Sequence, residues 1–445
     1  MLPAELRRSA KNLGKNAQLT GLARRTCSAL PVGGRAALPA LCVGLCLLCG
    51  AGSVHAQGLP PARVSVLTMS PGDQAFARFG HNAILLEWPN IGMTRVYNFG
   101  TFAFHGMDGV KDFMAGRFRY WLSASTLDRT LYFYGKQNRS IIAQELELDA
   151  RERAELWEAL ELNALPENRF YDYDYYRDNC STRVRDAIDR VLRGELTRKV
   201  QGPGRFSFRE HTERLTADAG WLYVGLDLAL GPLTDRPTSR WEELFIPAEL
   251  HDALAKATRD LNGVQRPVVR AEREILSAQR GPIRAEPPSR VLQFGAVGVL
   301  LGAGLFALGR LARGSRVARV AFGAVSGSLG LILGLLGSVF VVFWAFTKHW
   351  SAYRNENILV CPPFALVLAA TGIGLALGRK RGTELSFTTL RAAALCAALA
   401  VVLALIPGFG QDNTRIAALL APLWFGLYAG VAALSQRPLW PRRAK

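Results

Sequence analysis

The chain has 445 residues, 49% of them hydrophobic, and a formal charge of +18, enough for two domains or for one domain and a membrane part. The charge invites a nucleic-acid reading, but it is concentrated in a basic N-terminal segment (Arg7, Arg8, Lys11, Lys15, Arg24, Arg25 and Arg35 against Glu5) and in short clusters beside apolar runs, at 310–319, 379–381 and 437–445. That is the pattern of a targeting segment and membrane flanks, and it excludes a nucleic-acid-binding face.

Residues 36–52 are apolar and follow the basic segment; Val54-His55-Ala56 then offers small residues at the −3 and −1 positions of a cleavage site. Residues 1–56 therefore read as a secretory signal peptide with a basic N-region, cut before Gln57; an uncleaved anchor would export the same residues. Four of the seven cysteines (27, 42, 46 and 49) fall in this segment and two (361 and 396) in later apolar runs. Cys180 is thus alone in the exported part, which leaves no disulfide framework and no zinc-type Cys/His spacing.

Residues 57–290 read as a mixed α/β domain. Arg63–Met69 alternates as a strand, and His81–Trp88 with 94–99 flanks the turn signal Pro89-Asn90-Ile91-Gly92. A short helix is expected over 108–115, a strand over 118–122, a helix over Leu127–Lys136, a strand over 141–148 and a helix over 150–162. An aromatic run, 170–176, then delivers Asp178-Asn179-Cys180, where helix-capping residue types precede a helix over 181–193 with Val184, Ile188, Val191 and Leu192 on one face. Residues 200–290 read as charged helix and loop, ending in a linker at Gly281-Pro282 and Pro287-Pro288.

Five apolar runs follow, at about 291–309, 320–346, 358–378, 389–406 and 416–435, each able to cross a hydrocarbon core of roughly 30 Å. The basic clusters follow the first, third and fifth runs, whereas the connections 348–357 and 407–414 are less basic. The positive-inside rule puts the domain 57–290 outside and the C-terminus in the cytoplasm, in a multi-pass inner-membrane protein whose membrane domain is 291–445. Glycine pairs such as Gly298 with Gly302 and Gly330 with Gly334 read as helix packing, and spans without a mid-membrane charge argue against a transporter.

A thiol at a helix start feels the positive end of the dipole, which lowers its pKa from about 8.5 to roughly 6–7 and makes it nucleophilic. Such a thiol needs a base and a group that orients the base. The histidines of the domain are 81, 105, 211 and 251. A hairpin centred between Asn90 and Ile91 sets position 81 opposite position 100, with Val96 and Asn98 on the face of His81, so Asn98 is placed to hold the imidazole tautomer. His105 is the rival base; His211 and His251, in charged helical stretches, read as solvated. On composition alone, Cys180 is better explained as a buried structural cysteine and His81 as a satisfied structural histidine.

The motifs Phe79-Gly80-His81-Asn82, Tyr97-Asn98-Phe99-Gly100-Thr101-Phe102 and Tyr176-Arg177-Asp178-Asn179-Cys180-Ser181-Thr182 resemble those of the Lnb-type bacterial lipoprotein N-acyltransferases. Their order is that of circularly permuted papain-like enzymes. His349 and Asn355-Glu356-Asn357-Ile358-Leu359, ahead of an apolar run, are similar to that family's membrane motif. The resemblance implies an α+β fold: a circularly permuted papain-like exported domain followed by a five-helix all-α transmembrane bundle. It implies Cys180 as nucleophile, His81 as base and Asn98 as orienter, with backbone N–H groups of Cys180 or Ser181 at an oxyanion. His349, Asn355, Asn357, Arg177 and Tyr97 are expected at the substrate.

The implied reaction carries a fatty acyl chain through a Cys180 thioester to the α-amino group of a lipid-modified N-terminal cysteine, with no cofactor or metal. The partners would be diacylglyceryl-modified lipoproteins and membrane phospholipid; either is open as acyl donor. Phe76, Phe79, Phe99, Phe102 and Phe104 line an acyl channel or are plain core. Two other classes stay open: a membrane-anchored papain-like peptidoglycan amidase or peptidase, and a non-enzymatic envelope scaffold in which Cys180 is structural.

Overall fold

The computed structural model describes residues 59–103, 106–406 and 410–439. The expected signal segment and cleavage site, Phe104 and His105 lie outside them. From Leu59 onward the chain forms a single compact unit.

Alternating apolar residues build a seven-stranded sheet from β1 (Arg63–Met69), β2 (His81–Trp88), β3 (Met93–Thr101), β4 (Arg119–Ser125), β5 (Ile141–Leu146), β6 (Phe170–Asp172) and β9 (Val269–Leu276), in the order β6-β4-β3-β2-β1-β5-β9. Every neighbouring pair is antiparallel. A separate hairpin joins β7 (Thr258–Leu261) to β8 (Val264–Pro267). The β2–β3 turn closes on Gly92 at φ 64°, a conformation glycine adopts without strain. It fixes a register in which Leu85 faces Val96 and Ile84 faces Tyr97.

Between the strands lie α1 (Gly106–Met114), α2 (Leu127–Lys136), α3 (Ala150–Ala164) and α4 (Cys180–Val191). Capping starts three of them: Thr126 accepts from Arg129 N, and Asp149 with Glu152 and Asn179 with Thr182 form capping boxes. Both sheet faces are covered. Val64, Val66, Ile84, Leu86, Tyr97 and Phe99 pack with Leu156 and Leu160 of α3 and Val184, Ile188 and Val191 of α4. Leu67, Met69, Ala83, Leu85 and Val96 pack with Tyr134 of α2. Each fully buried aliphatic side chain stabilises this sandwich by about 1.5–3 kcal/mol, so α4 cannot slide without exposing its apolar stripe.

Downstream come α5 (Phe208–Thr216), α6 (Gly220–Ala229) and α7 (Pro247–Lys256). The expectation of helix and loop throughout 200–290 is corrected here: 258–276 form strands, and β9 is an edge of the main sheet. Its residues are mostly exposed, because an edge strand lacking a covered face carries charges rather than an apolar alternation.

Five long apolar helices complete the chain: α8 (Val291–Leu311), α9 (Arg316–Phe346), a third span from Glu356 that ends in α10 (Val367–Ala376), α11 (Lys380–Ala404) and α12 (Thr414–Ser435). Glycines let them touch through backbone: a methyl on Gly298 or Gly302 would collide with carbonyls of Leu419 or Pro422 in α12.

Candidate active site

Cys180 is the first residue of α4, and its position is set by Asn179. The Asn179 Oδ1 accepts from Ser181 N and Thr182 N, each at 2.9 Å, while its Nδ2 donates to Tyr175 O at 3.0 Å and Phe245 O at 2.9 Å. All the polar atoms of that amide are therefore occupied, and Ser181 Oγ donates to Leu244 O at 2.7 Å. The Ser181 N–H serves the cap and lies against the Cys180 thiol as well. The backbone N–H of Asn82, the residue after His81, also points at the Cys180 sulfur, which brings the start of β2 to the start of α4.

His81 Nε2–H donates to Asn98 Oδ1 at 2.8 Å, and Gly100 N–H donates to the same oxygen at 2.7 Å. A doubly accepting carboxamide oxygen fixes the ring: the proton sits on Nε2 and the Nδ1 lone pair is left as the basic position. The opposite side of the imidazole stacks on Tyr134, 6.3 Å between ring centres at 20°. Gly100 is required beside it, since a methyl there would overlap His81 Cε1 and stand 3.2 Å from Nδ1.

The electrostatics differ from a dipole-activated thiolate. Burial pushes the Cys180 thiol above its ordinary range; the Asn82 and Ser181 N–H groups and the Arg139 charge pull it down without cancelling that. Burial first, and Arg139 second, lower the His81 imidazole to about 4, against the Asn98 hydrogen bond. Desolvation thus moves the thiol up, opposite to the lowering expected from the helix dipole.

The other expected residues divide. Tyr97 is fully buried and donates through its hydroxyl to Glu161 Oε1 at 2.5 Å, on the sheet face opposite His81; it is a core residue. Asn355 and Asn357 are buried as well. Asn355 Nδ2 donates to Leu228 O at 2.7 Å and Ala229 O at 3.0 Å, and Asn357 Nδ2 to Leu228 O at 3.0 Å. Their amides cap the C-terminal carbonyls of α6, which corrects the expectation that they meet a head group. His349 stacks on Phe343 at 5.2 Å and shares a small cavity with Tyr173, Asp174 and Tyr175. Arg177 lies over the Trp350 ring at 3.6 Å, and Trp350 Nε1 donates to Asp174. The 348–357 connection thus docks on the loop that carries Cys180. Trp350 was missed in the sequence, where only its neighbour His349 matched a motif.

His211 is fully buried, bonded through Nε2 to Glu243 at 2.9 Å and accepting at Nδ1 from Arg214 at 3.0 Å, so it is not solvated. Of the phenylalanines, Phe99 is core and Phe79 packs on Phe245. Phe76, 59% exposed, meets Phe102, which continues through Tyr120 to Tyr173; Tyr173 in turn feels the Cys180 thiol. That aromatic ladder runs inward from Phe76 to Tyr173. A larger cavity of about 830 Å³ opens between α3 and α4, and neither Cys180 nor His81 is among its lining residues.

Residues 56–214 match the family described as the Lnb N-terminal periplasmic domain. The match takes in His81, Asn98 and Cys180 and leaves β7 to β9 and the apolar helices outside. No curated protein and no solved structure matches the chain. A periplasmic domain ahead of five candidate membrane spans makes this a multi-pass membrane protein.

Proposed function

We propose that this chain, whose residues 56–214 are an Lnb N-terminal periplasmic domain, is a lipoprotein N-acyltransferase working through Cys180. The observation that carries the reading is the Nε2–H···Oδ1 bond from His81 to Asn98, which leaves Nδ1 as base on the strand whose next N–H points at the thiol. The catalytic domain is 57–290 and the membrane domain 291–445.

In the first half-reaction His81 takes the thiol proton as Cys180 Sγ bonds to the ester carbonyl of a glycerolipid. Backbone N–H groups at the β2 and α4 starts stabilise the oxyanion. The ester C–O bond then breaks, and His81 returns the proton to the leaving alcohol. In the second, the α-amino group of a lipid-modified N-terminal cysteine attacks the thioester. His81 takes the ammonium proton, the C–S bond breaks, and the thiol is restored as the amide forms. A neutral imidazole at rest suits both half-reactions, since each starts with His81 as a base. The aromatic ladder from Phe76 to Tyr173 is a route for the acyl chain, and five spans bring the domain to lipid.

The test is mass spectrometry of the N-terminal peptide of an abundant lipoprotein, in a host lacking its own N-acyltransferase. N-acylation with the intact chain and none with Cys180→Ala is the expected result, and the count of remaining glycerol-linked chains identifies the donor. A free amino terminus in both, with each protein inserted, overturns the reading and favours a peptidoglycan amidase.

A further inference from the structure

Arg139 stands in the turn between α2 and β5, only 4% exposed. Its Nε donates to Ser70 O at 2.6 Å and its Nη1 reaches Gln137 Oε1 at 3.4 Å, but its buried Nη2 has no acceptor. None of the ion pairs among the described residues includes it. Asp73, the acid on this side, is held by Arg280 at 2.9 and 2.6 Å. A buried cation without a counter-charge opposes folding, and arginine does not escape by losing its proton. A purely structural side chain at this place would be better neutral.

The guanidinium carbon lies 4.7 Å from the centre of the Tyr134 ring, and Tyr134 also stacks on His81, with Phe133 edge-on beside it. Ser70, the tether of Arg139, directly follows Met69, which pairs with His81 across β1 and β2. Arginine, phenol and imidazole thus form one stack behind the site. We infer that Arg139 is a positioning residue for the Cys180–His81 pair, acting through Tyr134 to fix the imidazole and holding over the pair a positive charge whose partner is the anion that forms during reaction. The inference rests on the acyltransferase reading only for what that anion is, a thiolate and then an oxyanion.

A nearby cation favours a thiolate and disfavours an imidazolium, and Arg139 acts on both groups in those directions. The other groups facing them are neutral or distant. Asn98 and Tyr134 face His81; Tyr120, Tyr171, Tyr173 and Tyr134 face Cys180; Arg280 is the further cation acting on Arg139. Removing the charge therefore has two opposite signatures. The thiolate becomes harder to form, and the imidazole becomes easier to protonate.

The experiment follows iodoacetamide labelling of Cys180 by peptide mass spectrometry across pH, in the full chain in detergent, alongside the acid limb of thioester formation from a glycerolipid ester. Arg139→Gln should slow labelling several-fold at pH 8 and move the acid limb upward, toward that of free imidazole. Arg139→Lys should restore both. Tyr134→Leu, which keeps the charge but lets water beside the imidazole, should move the acid limb in the same direction, and it is the deciding variant if Arg139→Gln does not fold. Folded variants with unchanged labelling and unchanged pH profiles overturn the inference. Should the wild type transfer no acyl group while labelling still responds to Arg139→Gln, the positioning role stands and the acyltransferase reading falls.

Discussion

Burial, with the charge of Arg139 behind it, holds the His81 imidazole at about 4, whereas in the unfolded chain it returns to about 6.5. The sign of the consequence follows from linkage. Between those values the unfolded chain binds a proton that the folded protein refuses, so stability is full above 6.5 and declines as pH falls toward 4. The contribution is at most roughly 3 kcal/mol, and less for the part of the ring that water reaches. Unfolding midpoints in detergent at pH 7 and pH 4 should therefore fall further for the wild type than for His81→Asn, which carries no titrating ring. Equal falls would mean that the imidazole is not held neutral. The same placement sets the profile of the first half-reaction: thioester formation should persist well below pH 6.5, because the base is still unprotonated there, whereas the second half-reaction falls as the incoming amine, with a free pKa of about 8, is protonated.

Three elements make the site, namely the starts of β2 and α4 and the second half of β3, and the sequence revealed them unequally. The hairpin was legible because its turn residues and period-2 pattern leave one register, and that register alone puts Asn98 on the face of His81. The α4 start was legible from its capping residues. The charged edge strand β9 was not, since an exposed edge has no apolar face to read. Tyr97, Asn355 and Asn357 looked like substrate ligands because a motif records which residues recur, not which face of a strand or which carbonyl they serve. The role of Gly100 was invisible for a related reason: its φ is not left-handed, so no turn demands glycine, and only the ring packed over it does. Gly100→Ala separates packing from backbone. Because the strand itself tolerates alanine, the unfolding midpoint should change little. Displacing the imidazole should remove much of the ~10²- to 10⁴-fold that a positioned acid–base group contributes, read as the initial rate of lipoprotein acylation. A wild-type rate in a folded Gly100→Ala protein would show that His81 has another place to go.

At the scale of the whole chain, the periplasmic helices and the spanning helices are joined by buried charge as well as by contact. Arg415, in the first turn of α12, binds Glu213 of α5 and lies 3.1 Å from Asp227 of α6, which also accepts from Arg209 at 2.8 Å. The Asn355 and Asn357 amides close the same helix end, and Trp350 ties the neighbouring connection to the cysteine loop. These links tie the loop that carries Cys180 to the helical bundle. Burial, against the pull of Arg415, raises Glu213 to about 8. A carboxyl raised in the folded state binds a proton that the unfolded chain, near 4.5, has already lost, so this group makes stability decline as pH climbs from 4.5 through 8. Glu213→Gln, which keeps an oxygen for Arg415, should flatten that part of the unfolding-midpoint curve. Arg415→Gln leaves two buried acids short of a partner and should cost roughly 3–5 kcal/mol. If the latch serves catalysis, Arg415→Gln protein held below its unfolding temperature keeps Cys180 alkylation and loses transfer from membrane lipid. Loss of both together would instead mean that the latch holds up the fold of the site itself.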